Sequence, residues 1–223
     1  MKSLTIREVE KFEVDDNLPL LKDDTTIGSI APTERSFVIE KTTFQEFHCT
    51  YHVDFKDTII VEIDGNLNTV DTYKKTSSFS LYFSAKEKIL FVDAPTAISA
   101  NFLNNLQQKY PDKIKTNVFA FDFSKISEHQ NNSKAIYFSV DDSIIDSKTF
   151  YGNGVHQDIE AIDAIDNQNA TYIMAEIDLQ GKSRTVGFSK KGATVIYSKP
   201  VDLEYLEHPY LLLSYEAATS FSL

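Results

Sequence analysis

From Phe47 onward, apolar side chains recur at every second position: Phe47, Cys49, Tyr51, Val53 and Phe55. Successive side chains of a β-strand point to opposite faces, so this spacing gives a strand with one apolar face. Phe37, Ile39 and Phe44 extend the pattern upstream. Further strands are predicted over residues 58–64, stopped by Gly65-Asn66, and over residues 79–83 and 89–92. One apolar face per strand has to be buried against another layer, which for this chain means helices on a sheet.

Pro95-Thr96 opens a helix in which Ile98, Phe102, Leu103 and Leu106 share a face. It ends before Tyr110-Pro111, because a proline disfavours helical geometry in the residue before it. Residues 118–123 read as an internal strand, apolar on both sides. Downstream come a strand over 135–140 and a short acidic helix over 158–166 with Ile159, Ile162 and Ile165 inward. A hairpin over 172–189 turns at Gln180-Gly181-Lys182. A strand over 193–197 and a helix from Pro200 through Leu206 complete the chain's pattern. Residues 1–35, with Pro19, Asp23-Asp24, Gly28 and Pro32, read as a loop-rich N-terminal segment.

A repetition organises these elements. Residues 80–95 and 185–200 align without a gap at a spacing of about 105 residues, pairing Phe83 with Phe188, Ser84 with Ser189, Lys86 with Lys191 and Pro95 with Pro200. Upstream, residues 58–64 and 171–178 both end in Glu-Ile-Asp. A proline at the first helical position is favourable, since its missing N–H would have no partner there. The expectation is an α+β fold with a mostly antiparallel sheet. It has two related strand-strand-strand-helix halves, 36–126 and 135–223, arising by internal duplication and joined by a polar linker at 127–134.

The chain's 223 residues carry 22 Lys+Arg against 33 Asp+Glu, a net charge of −11, and 42% are hydrophobic. That apolar fraction supports a packed core. The acidic balance disfavours generic binding along a nucleic-acid backbone. The charge is uneven: residues 127–170 hold eight acids and two lysines, while the repeated hairpins carry Lys86, Lys88, Lys190 and Lys191. An acidic face and a basic face are therefore expected. The N-terminus has no apolar secretory core, and no run approaches the ~18 apolar residues of a membrane span. Cys49 is the single cysteine and has no intrachain partner. These features point to a cytoplasmic protein without membrane association.

Four groups of residues could carry chemistry. His48 and His52 share a strand face and could supply two metal ligands, half of a four-ligand site. Residues 151–158 combine Gly152 and Gly154 with Tyr151, Asn153, His156 and Asp158. His156, with Asp158, would act there as general acid or base, although neither a phosphate-binding fingerprint nor a nucleophile elbow is present. Asp141, Asp142 and Glu160, with Tyr151, Asn153, His156 and Asp158, form a candidate partner-binding stretch. The hairpin lysines Lys86, Lys88, Lys190 and Lys191 form a candidate basic surface. No cofactor is expected. The composite expectation is a non-enzymatic interaction or regulatory protein. It would bind a protein partner through a sheet surface or the acidic 141–166 segment. The alternatives are a nucleic-acid-associated module using the hairpin lysines, or a small enzyme at residues 151–158.

Overall fold

The computed structural model describes residues 1–141 and 144–223. Asp142 of the acidic stretch lies outside the described residues. The order of elements is β1 (Lys2–Phe12), β2 (Leu18–Lys22), β3 (Thr25–Ile39), β4 (Thr42–Ile63), β5 (Asn66–Ser84), β6 (Ile89–Val92), α1 (Thr96–Lys109), β7 (Ile114–Val118) and α2 (Phe123–His129). There follow β8 (Asn132–Ser139), β9 (Ser147–Tyr151), α3 (Ile159–Asp166), β10 (Ala170–Leu179), β11 (Lys182–Ser189), β12 (Ala193–Ile196) and α4 (Pro209–Phe221). The fold is α+β, and the strands among the described residues form one antiparallel sheet in the order β2-β3-β4-β5-β6-β1-β12-β11-β10-β8-β9. β7 pairs with β1 beyond the end of β12.

The N-terminal segment departs from its loop-rich expectation. It supplies three strands, and β1 joins the two halves. Thr5 to Glu8 pair with β6 on one edge, while Lys2 to Thr5 pair with β12 on the other. The prolines and acidic pairs that suggested loops sit where sheets tolerate them. Pro19 is on the edge strand β2, and Asp23 and Asp24 form the β2–β3 turn with positive φ. Residues 37–55 are two strands, because Glu40, also at positive φ, turns the chain between β3 and β4.

Alternation assigns the two faces. Leu4, Ile6, Phe44, Tyr82, Phe91, Ile173, Ile177, Phe188 and Ile196 join one core cluster with α2, α3 and α4. Phe47, Cys49, Leu81, Leu90 and Val92 join a second cluster with Phe102, Leu103 and Leu106 of α1. The helices therefore cover opposite faces in the two halves. Hairpins β5–β6 and β11–β12 flank β1 on opposite edges, but Ile89 pairs with Glu8 whereas Ala193 pairs with Thr5, so they are offset by three residues along β1 and the expected internal duplication is not confirmed. The ungapped alignment slips by one in the second strand. Ser84 pairs with Ile89 across a four-residue turn, whereas Ser189 pairs with Ala193 across three.

Local differences have local causes. The expected strand at 118–123 ends at Val118, and Asp122 instead caps α2 by accepting the Lys125 N–H at 2.9 Å. The expected linker at 127–134 is the end of α2 and the start of β8. In α3 the inward residues are Ala161, Ala164 and Ile165, while Ile159 and Ile162 are exposed, so the buried stripe is rotated from the isoleucine spacing. Pro200 opens one 3-10 turn, Val201–Leu203, and the helix begins only at Pro209. Strands β4 and β5 also outrun their neighbours. β3 leaves β4 at Tyr51, but β4–β5 pairing continues to Ile63 and Asn66, giving a free two-stranded ribbon about 40 Å long at the rise of a strand.

Two measurements test this arrangement. Ile6 is fully buried on β1, so Ile6→Ala is expected to cost about 2–5 kcal/mol in denaturant unfolding. Ile60 is 70% exposed on the ribbon, and Ile60→Ala should stay within about 0.5 kcal/mol of wild type. His208, which precedes α4, stacks on Phe37 at 4.1 Å between ring centroids, and its buried Nε2 has no hydrogen-bond partner among the described residues. The exposed Glu207 carboxylate, 3.8 Å away, is too distant to serve as one. Burial pushes the imidazole pKa down. The unfolded chain then binds more protons, so stability is lost as pH falls below the ordinary histidine value of about 6.5. The stability advantage of wild type over His208→Phe should shrink between about pH 8 and about pH 5, read as Tm.

Candidate functional site

On the half made by β8 to β12, the face opposite α2, α3 and α4 carries no helix among the described residues, and cross-strand register determines what it displays. One row runs Thr149, Tyr137, Tyr172, Ser189, Ala193 and Thr5. The next runs Tyr151, Ala135, Met174, Gly187, Val195 and Ser3. Large aromatic side chains thus stand beside small ones. Tyr197, just past β12, closes the group.

The four tyrosines hold one another. The hydroxyls of Tyr172 and Tyr197 lie 2.7 Å apart, and those of Tyr137 and Tyr151 are also hydrogen-bonded. The Tyr137 and Tyr172 rings stack at 5.2 Å between centroids. The bond to Tyr151 pushes the Tyr137 phenol up to about 12. Burial, then the bond to Tyr197, raises Tyr172 further above the ordinary tyrosine value. Gly187 makes this possible, because a Cβ there would lie 1.8 Å from the Tyr172 hydroxyl. Tyr151 is 68% exposed and Tyr197 38%, so the cluster presents aromatic surface to solvent.

Beside this face lies a groove of about 680 Å³. Ala97, Ala100 and Asn104 of α1 form one wall, Val118, Ala193 and Val195 the floor, and Tyr172 borders the far side. Arg7, Lys190 and Lys191 also line it. Arg7 is 8% exposed and donates from Nη1 to the carbonyls of Ile6 at 2.9 Å and Lys191 at 3.1 Å. These carbonyls lie at the junction on the edge of β1 where β12 ends and β7 begins. Gly192 fills the junction, and a Cβ there would meet the Phe119 backbone at 2.9 Å. Desolvation lowers the Arg7 pKa, and among the described residues no carboxylate forms an ion pair with it.

The residues singled out from sequence are distributed around the molecule. Asp158 caps α3, accepting N–H bonds from Glu160 at 2.9 Å and Ala161 at 3.3 Å. His156 fastens its loop to β8, with Nδ1 2.8 Å from Ser133 Oγ, and Asn153 accepts from Lys134 at 2.8 Å. Glu160 pairs with Lys148 and, with Asp141 and Asp163, lines a shallow hollow of about 230 Å³ on the α3 side. Tyr151 is on the other face of the sheet. His48 and His52 lie on β4, where His52 Nδ1 is 2.8 Å from Thr76 Oγ1. No group of three metal-ligating side chains occurs among the described residues. Cys49 points into the opposite core, where burial raises its thiol pKa.

The turn bearing Lys86 and Lys88 and the turn bearing Lys190 and Lys191 flank β1 on opposite edges. The Lys88 carbonyl accepts from Val9, and the Gly192 carbonyl from Ile6. Lys86 itself pairs with Glu87. Sequence reasoning passed over Arg7, Tyr137, Tyr172 and Tyr197. A signal for Tyr172 was present: Ile173, Ala175 and Ile177 alternate with Tyr172, Met174 and Glu176, which places the tyrosine on the face away from the core.

Gly187→Ala should displace the Tyr172 side chain and break its bond to Tyr197 while the fold persists, because the obstructing atom is the end of a movable side chain. Tyrosinate absorbance during alkaline titration should then show one phenol returning towards the ordinary value of about 10. No helix among the described residues is long and apolar enough to cross a membrane. The chain matches no known protein family and no curated protein.

Proposed function

We propose that the chain is an interaction protein that docks a protein partner on the tyrosine face of β8 to β12. The observation that carries this reading is the cluster of Tyr137, Tyr151, Tyr172 and Tyr197 on a sheet face without a helix over it. Tyrosine buries a large apolar ring and still offers a hydroxyl, and it is enriched at protein interfaces for that reason. Hydrogen bonds within the cluster fix the rings before a partner arrives, which lowers the ordering cost of association. The acidic hollow beside α3 is the competing surface, and it lies on the other side of the sheet.

Affinity capture with three chains separates the two surfaces. Wild type and Glu160→Gln/Asp163→Asn are expected to retain the same stoichiometric partner. Tyr151→Ala/Tyr197→Ala should weaken its binding by about tenfold or more, in line with loss of interface anchors. Loss of capture only in the acidic-side variant would move the docking surface to α3. Equal capture by all three would overturn the reading.

A further inference from the structure

The groove beside α1 has a charge pattern that the rest of the chain does not lead one to expect. The protein carries 33 acids and 22 basic residues, yet Arg7, Lys190 and Lys191 line this groove and no Asp or Glu does among the described residues. Arg7 is the most telling of the three. An arginine residue that is only 8% exposed is costly unless its charge is balanced, and its bonds to the Ile6 and Lys191 carbonyls supply dipoles but no counter-charge. Lys190 and Lys191 are exposed at the groove's end, and Lys190 Nζ is held at 2.7 Å by the Gln168 carbonyl.

The first turn of α1 adds to the same field. Thr96 and Ala97 border the groove, α1 has no acid in its first turn, and among the described residues no side chain caps its N–H groups. Free N–H groups and the positive end of a helix both favour an anion. Most of the remaining lining is apolar or flat, with Ala100, Val118, Val195 and the Tyr172 ring, and Asn104 and Ser189 add two uncharged polar side chains. A volume of about 680 Å³ falls in the range of small-molecule sites.

We propose that this groove binds a nucleotide-sized phosphorylated ligand. The phosphate sits against Arg7, Lys190 and Lys191, and the base lies between the alanine side of α1 and Tyr172. A free nucleotide and a nucleotide within a single strand share this chemistry. The proposal goes beyond partner docking on the tyrosine face and does not depend on it.

The test is calorimetric titration of the full chain at low salt with inorganic phosphate, AMP and a short oligothymidylate. AMP, the oligonucleotide or both should bind at least about tenfold more tightly than inorganic phosphate, with affinity falling as salt rises. Binding of AMP marks a free nucleotide as sufficient, and binding of the oligonucleotide alone marks a strand as the source. Lys190→Glu/Lys191→Glu changes two exposed side chains and should abolish either. Arg7→Gln should weaken it about tenfold or more, with circular dichroism confirming that β1 still folds. Failure of both AMP and oligonucleotide to exceed phosphate would overturn the proposal, and so would binding unchanged in the lysine variant. Tyr151→Ala alone keeps all three cations and the Tyr172–Tyr197 bond and should bind as wild type does, so the two readings fail separately.

Discussion

The fold depends on the hydrogen bonding of β1 along both edges. This strand pairs with β6 on one side and with β12, then β7, on the other. Without it, the sheet would divide into two smaller sheets with unpaired edges. Backbone N–H and C=O groups in such a central position have to be paired, and β1 is where the two halves meet that requirement together. The cost is a crowded junction where β12 gives way to β7. Gly192 and the Arg7 guanidinium occupy it, one by lacking a side chain and the other by donating to two carbonyls.

Placing β1 between two hairpin–helix units has a further consequence. With α1 on one face and α4 on the other, each half leaves part of one face without a helix among the described residues, α4 reaching Phe44 and Phe91 of the first half through Tyr215. In the first half that face is polar beyond the reach of α4, with His48, Thr50, His52 and Ser78 along β4 and β5. In the second half it carries the tyrosines. The groove lies where the side of α1 meets the uncovered part of β12 and β1, so it exists because the helices are on opposite faces. Glu160 and Asp163 of α3 sit on the covered side and Arg7 opens to the groove on the other, while Lys190 at its turn reaches the Gln168 carbonyl just past α3.

Much of the secondary structure was legible from alternation and turn chemistry. The strands over 79–83 and 89–92, the helix after Pro95, and the hairpin at Gln180-Gly181 all follow from spacing and glycine placement. The misread segments were those where a short-range cue had two meanings. Asp158 next to His156 reads as an acid/base pair in sequence but is a helix cap in the fold. Asp23-Asp24 reads as a break and is a tight turn inside a hairpin. Ile159 and Ile162 read as a buried stripe, but Ala161 and Ala164 allow α3 to approach the sheet more closely on their side.

The sequence by itself determined an antiparallel α+β fold, because a period of two fixes which side chains share a face and turn residues fix where strands reverse. It also determined that the charge would be unevenly spread. Only the tertiary structure decided that the N-terminal strand is central, that α1 and α4 cover opposite faces, and that Arg7 meets Lys190 and Lys191 beside Tyr172. Alternation is a property of neighbouring residues. Strand order and the choice of which face a helix covers are settled by packing between segments far apart in the chain.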